Sequence, residues 1–326
     1  MKTKRLLTGL LLSSFFTLPL HAKETAHEKV TVALDWFINS DHAPLFVAKQ
    51  IGAFQEQGLD VEFVPLADSS TDPAQGLKSH KTDLAISYQQ AIYKLVEQGT
   101  PITRIGTLMD QPADMIAALP QSQIHSIADL KGKRIGYASG DPHPFVLEKI
   151  LQTAGLTLKD VNLVNVGLKL VSSLEKNEVD AIYESLRNIE GVKIDHDTKT
   201  HPVEFFVEDY GIPRFDELII LANKSDIHQK KLLRFMKALK KGAEYLLSHP
   251  EESWKTFADQ HPDLNSEGEH ATWLASLPFF SQDPLYLNNE RYLQYRNFLY
   301  DNHQINKKLP VSDYAVDLET SKKKAK

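Results

Sequence analysis

Between a Val-rich alternating stretch and Pro44 the chain reads Asp35-Trp36-Phe37-Ile38-Asn39-Ser40-Asp41-His42. An indole face among such polar neighbours suits stacking on a planar heteroaromatic ring. Asn39 brings both a donor and an acceptor, and His42 brings two ring nitrogens. A helix starting near Pro44 aims its unpaired N–H groups at whatever this loop faces. Each residue also has a plainer reading, Trp36 as a core side chain and His42 as a helix cap. Tyr88 follows the apolar run Leu84-Ala85-Ile86-Ser87 and either closes on a ring ligand or packs under the next helix. Gly140 stands in the loop Ser139-Gly140-Asp141-Pro142-His143-Pro144, and Tyr183, Glu184, Arg187, Asn188 and Glu190 form a further polar group. On its own Glu190 reads as a helix-surface charge, and Arg187 as its ion-pair partner or that of Glu184. Asp216 and Glu217, beside Pro213, read as hinge-surface acids, or one of them faces a cleft.

Nothing in this set is arranged for covalent chemistry. There is no cysteine, which excludes a thiolate nucleophile, an iron–sulfur cluster and a cysteine zinc site. The histidines are scattered without metal-ligand spacing, and no Gly-x-Ser-x-Gly, Walker or dinucleotide motif occurs. No metal or cofactor is expected, and the residues point to binding.

Strands and helices must hold these loops in place. Strand patterns fall at Glu28 to Leu34, Leu59 to Pro65, Asp83 to Ser87 and Ile102 to Met109, with helices at Pro44 to Gln57, Pro73 to Ser79 and Gln89 to Gln98 between them. A second unit alternates in the same way, with strands at Asp114 to Leu119, Arg134 to Ala138, Val161 to Val166 and Asp180 to Tyr183. A short strand at Val203 to Glu208 and a buried one at Glu217 to Ala222 follow. Helices at Asp226 to Ser248, Pro250 to Gln260, Ser266 to Leu277 and Asn288 to Asn302 complete the chain. Alternation of this kind predicts two α/β lobes with mostly parallel sheets, and a ligand site in the loops at the carboxyl ends of the strands. The expected hinges are Asp110 to Asp114 and Tyr210 to Asp216.

The segment from Leu34 to Pro65 resembles the thiamine-pyrimidine family, which holds periplasmic binding proteins for thiamine pyrimidine precursors and the fungal pyrimidine synthase. The likeness continues in KTDLAISYQQ, PITRIGTLMDQP, DLKGKRIGY, VDAIYESLRNIE and GIPRFDELIILAN. It covers about residues 29 to 250. It implies a type II periplasmic-binding fold, two lobes joined by two crossover strands, with residues 23–112 in lobe 1, 113–215 in lobe 2, and 216–326 returning to lobe 1. It also implies a monomeric receptor that delivers an aminopyrimidine to the permease and ATPase of an ABC importer. By the same resemblance Glu190 is the site glutamate that accepts from the ligand's amine, and Asn188 assists it. Trp36, Asn39, His42, Tyr88 and Gly140 complete the expected ligand set. The synthase chemistry is missing. Ser87 stands near the expected Schiff-base lysine, the cysteine motif is absent, and the loop around Gly140 carries a carboxylate and two prolines, a poor cradle for phosphate.

Composition agrees with an exported receptor. The 326 residues carry a formal net charge of −6, a poor balance for binding nucleic acid. Lys2, Lys4 and Arg5 precede the apolar run Leu6 to Leu20, and Leu20-His21-Ala22 offers a cut site, so residues 1–22 read as a signal peptide. That run is shorter than the roughly 20 residues of a spanning helix. A cysteine-free exported chain fits a Gram-negative periplasm. A sulfonate or flavin-precursor receptor of the same fold is the alternative, although a sulfonate wants cleft arginines and only Arg187 is offered.

Overall fold

The computed structural model describes residues 27–65, 73–138 and 144–319. The expected signal peptide, Gly140 and the lysine-rich tail lie outside the described residues. The first sheet takes β1 (Glu28–Ala33), β2 (Leu59–Val64), β3 (Leu84–Ser87) and β4 (Ile102–Met109), with α1 (Ala43–Gln50), α2 (Ala53–Glu56), α3 (Ala74–Lys78) and α4 (Gln89–Glu97) between them. The second takes β5 (Asp114–Ala118), β6 (Arg134–Tyr137), β7 (Asn162–Asn165), β8 (Ala181–Leu186) and β9 (Val203–Phe206), with α5 (Phe145–Gln152), α6 (Leu170–Glu175) and α7 (Val192–Thr198). The chain then returns to the first sheet through β10 (Leu218–Asn223) and ends in α8 (Lys230–Ser248), α9 (Pro250–Gln260), α10 (Glu267–Ser276) and α11 (Asn289–Asp301).

The sheet orders are β2-β1-β3-β10-β4 and β7-β6-β8-β5-β9. Within each, four strands run one way and one runs against them. In the first sheet that strand is β10, antiparallel to β3 and β4; in the second it is β5, antiparallel to β8 and β9. These are the strands with which the chain enters each sheet after crossing from the other. The sheets are thus mostly parallel, as the alternation predicts, each with one reversed strand that stands fourth of five in the order.

Two expected elements differ in detail. The helix expected over Pro44 to Gln57 is broken at Gly52, which adopts a left-handed φ of 74° and separates α1 from α2. Glycine takes that conformation without the Cβ clash other residues meet. The strand expected to end at Tyr183 runs on to Leu186 as β8. Its partners are Ser185 for Met115 and Ile182 for Ala117, so Tyr183 and Glu184 together face Ile116, and Glu184 has a left-handed φ of 58°. This is a β-bulge, a device that re-aims side chains at a sheet edge.

Apolar faces are buried on both sides of the sheets. Leu45, Phe54, Phe235, Leu239 and Phe257 pack α1, α2, α8 and α9 on one face of the first sheet. Tyr292 and Tyr295 of α11 join residues of both sheets, Ile102 and Ile219 with Ile116 and Ile135, in one cluster. Trp273 is fully buried, and Trp254 nearly so, in the helical end of the chain. Among the described residues no helix is long and apolar enough to cross a membrane.

Candidate functional site

The carboxyl ends of β1 and β3 release Asp35 and Tyr88, and the two side chains meet: the Tyr88 hydroxyl donates to Asp35 Oδ2 at 2.7 Å. His42 Nε2 lies 3.0 Å from Asp35 Oδ1, and His42 Nδ1 accepts from the Asn39 N–H at 3.4 Å. Both ring nitrogens of this fully buried histidine are thus engaged inside the loop. Asn39 caps the turn Ser40–His42, its Oδ1 accepting from the Asp41 N–H at 2.8 Å. Trp36 is half-buried, edge-on to Phe37 with ring centroids 5.9 Å apart, and Phe37 is 40% exposed. The loop therefore presents aromatic surface, while Asp35, Asn39 and His42 stiffen it from within. Burial pushes the Asp35 carboxyl up, but the hydrogen bonds and charge of His42 and the Tyr88 hydroxyl outweigh it and hold the group below its ordinary range.

The second sheet contributes from the end of β8. Asn188, 1% exposed, donates through Nδ2 to Asp41 Oδ1 at 2.6 Å and to Ser276 Oγ at 2.8 Å. It therefore ties the turn after β8 to the loop after β1 and to α10. Its Oδ1 is buried without a partner. Glu190 Oε2 accepts from the Leu186 N–H at 2.8 Å, and burial raises its carboxyl above the usual range. Glu184 Oε2 accepts from the Ala138 N–H at 2.9 Å at the end of β6. Arg187 pairs with neither Glu184 nor Glu190, the two partners expected. Its guanidinium meets both oxygens of Glu208 at 2.9 and 2.8 Å and lies 3.9 Å from the Phe206 ring.

The hinge acids are a second correction. Asp216 and Glu217, read as hinge-surface acids or with one of them facing a cleft, are 3% and 1% exposed, which rules out the surface reading. Asp216 is consumed structurally, accepting from Thr107 and Tyr292 and pairing with Arg291. Glu217 Oε2 accepts from the Ala113 N–H at 2.6 Å, which fastens the start of β10 to the start of β5. Asp114 accepts from Gln90 Nε2 at 3.2 Å. Burial, then the charge of Glu184, pushes the Asp114 carboxyl up to about 7. Asp41 also rises to about 7, chiefly through burial, against the opposing charge of His42.

Sequence reasoning placed Asp35, Asp41 and Gln90 in loops expected to reach the site and Asp114 in a hinge, but gave none of them a role. A loop acid looks solvated until its partners are known, and these partners lie on distant strands. Among the described residues no group of three or more metal-ligating side chains occurs. The arrangement is a polar, acid-rich seam between two sheets, lined on one side by aromatic rings.

Two mixed sheets crossed twice by the chain, with polar loops meeting between them, define the periplasmic-binding-protein fold. The alkanesulfonate-binding protein SsuA of Xanthomonas axonopodis pv. citri, solved with MOPS, superposes with a TM-score of 0.67, covering 88% of this chain and 98% of that one at 16% identity. Within that fold the chain belongs to the NMT1/THI5-like family, whose model matches residues 39–253. A Haemophilus influenzae protein provisionally assigned to thiamine biosynthesis is 38% identical, covering 93% of this chain and 95% of its own length. A formylaminopyrimidine-binding protein of Halalkalibacterium halodurans is 30% identical over 74% of this chain and 73% of its own. The 4-amino-5-hydroxymethyl-2-methylpyrimidine phosphate synthase of Uromyces fabae is 29% identical, with 78% of each covered.

Proposed function

We propose that this chain is a periplasmic solute receptor. It captures a thiamine pyrimidine precursor, an aminopyrimidine of the formylaminopyrimidine or hydroxymethylpyrimidine type, and delivers it to an ABC importer. The observation that carries the reading is the seam's chemistry: buried acceptors and acids at Asp35, Asp41 and Asn188 and the half-buried Glu190, with the nearby guanidinium of Arg187 committed to Glu208. A sulfonate or phosphate needs a free cation or a nest of N–H groups, whereas an amine-bearing neutral ring needs acceptors. In this reading Trp36 stacks on the ring, Tyr88 covers it while holding Asp35, and Glu190 accepts from the amine. Asn39 and His42 keep the loop in shape, and Gly140 stands in the loop expected to reach the same cleft. The 38% identical Haemophilus protein and the formylaminopyrimidine-binding relative support this class of ligand.

The synthase reading is the weaker one. Its reaction needs a lysine able to form a Schiff base, and the matching run Leu84-Ala85-Ile86-Ser87 supplies a serine.

Thermal unfolding against a panel tests the assignment, the panel being formylaminopyrimidine, hydroxymethylpyrimidine, thiamine, riboflavin, taurine and pyridoxal phosphate. A ligand at a hundred times its Kd adds about 2.7 kcal/mol of stability, and the pyrimidines alone are expected to do so. W36A and E190Q are expected to weaken pyrimidine binding more than tenfold. Unchanged affinity in both variants removes the site assignment, and a response to riboflavin or taurine alone removes the ligand.

A further inference from the structure

The reversed strands have a consequence for the cleft. Parallel strands deliver their carboxyl ends to the ligand edge of a sheet, so an antiparallel strand delivers its first residues there. In the second sheet Asp114, the first residue of β5, lies opposite Leu186 at the end of β8. In the first sheet Ile219 lies opposite Ser87, which sets Glu217, just ahead of β10, at the level of the Tyr88–Gln90 turn. The Ala113 N–H to Glu217 Oε2 bond joins these two edges. Gln90, at the start of α4, is fastened to the same spot through Nε2 on Asp114. Each anchored side chain keeps one buried atom without a partner, Glu217 Oε1 and Gln90 Oε1.

Unpaired buried polar atoms are costly, and two of them anchored on adjacent residues at the ligand edge form a prepared surface. We propose that Glu217 and Gln90 are specificity-determining residues that read the N=C–NH2 edge of the bound ring, Glu217 Oε1 facing the ring nitrogen and Gln90 Oε1 accepting from the amine. The amide's orientation follows from its bond to Asp114, which leaves the carbonyl oxygen for the ligand. The carboxyl's role follows from its surroundings. Oε2 is taken up as the acceptor of the Ala113 N–H, which leaves Oε1 as the place for the carboxyl's proton, and burial with the charges of Asp114 and Asp41 pushes the group well above the usual carboxylate range, against the N–H groups of Ala113 and Asp114. Tyr88 and Tyr295 face the same group, and both are held neutral by burial. A donor beside an acceptor matches an aminopyrimidine. It mismatches the corresponding pyrimidinone, where ring N–H and carbonyl reverse the pattern.

The inference rests on the aminopyrimidine reading above. Its test is calorimetric titration of the full-length mature protein with 4-amino-5-hydroxymethyl-2-methylpyrimidine and its 4-oxo analogue. The wild type is expected to prefer the amine by at least about a hundredfold. E217M and Q90M are each expected to cut that preference at least tenfold. E217Q keeps a donor in the same place and is expected to stay within threefold of wild type. A purely structural role lowers both affinities together and leaves the ratio alone, and an unchanged ratio in E217M and Q90M overturns the proposal while the receptor reading stands. Absence of any pyrimidine binding by the wild type overturns both.

Discussion

At the scale of single residues, the seam stores ionisable groups in states they would not keep in water. Asp41 is wholly buried, held by Asn188 and Ser276, and rises to about 7. An acid whose folded value lies above its unfolded value of about 4 stabilises the fold at low pH, and that contribution is lost as pH rises through the folded value. Asp114 behaves in the same way, while the depressed Asp35 acts in the opposite sense and only below its ordinary range. The melting temperature of the unliganded protein is therefore expected to fall between pH 5 and pH 8. Asp41→Asn is expected to flatten part of that slope, worth on the order of a few kcal/mol at one group. A melting temperature that rises over this range, in a differential scanning calorimeter, contradicts the assignment of buried, neutral acids.

At the scale of elements, α1 and α8 approach so closely that a Cβ at Gly242 would lie 2.7 Å from the Ala48 Cα and backbone N. Backbone cannot yield as a side-chain tip does, so Gly242→Ala is expected to destabilise by about 1–3 kcal/mol, read as a lower denaturant midpoint with the slope unchanged. The elements themselves were largely legible in the sequence. Ile102 to Met109 and Pro250 to Gln260 match their residues end to end, and the loop that presents Trp36 followed from a strand pattern, a polar run and Pro44. The break at Gly52 was masked by apolar spacing that continues through it, because periodicity registers which face a residue takes and not whether the helix is continuous. The bulge at Glu184 and the Arg187–Glu208 pair depend on strand register, which no local pattern encodes. The choice left open for Glu217, surface or cleft, could not be made from sequence for a related reason. An acid beside a proline turn looks solvated until the fold lays Ala113 against it.

At the scale of the whole molecule, the two sheets share one apolar cluster around Tyr292 and Tyr295, and the loops at their facing edges meet through polar contacts. Asn188 reaches Asp41 and Ser276, Lys193 of α7 meets Glu269 of α10 at 3.0 Å, and Gln90 reaches Asp114. Polar contacts of this kind permit rigid-body opening about the two crossings, as hinge motion requires. Asn188→Ala removes two of these bonds, and is expected to raise the radius of gyration of the unliganded protein in small-angle scattering and to speed ligand release. An unchanged radius and release rate count against Asn188 as a link between the lobes. The central place of β10 has a further consequence, for the order in which the molecule is made. Residues 114–206 form the second sheet from one continuous stretch of chain, whereas β3 and β4 stay apart until β10 slides between them. The first sheet is thus the first begun and the last finished. Its assembly depends on contacts more distant in sequence, which slow folding, and a chain emerging from its amino end carries exposed strand edges at β3 and β4 until residue 223 has arrived.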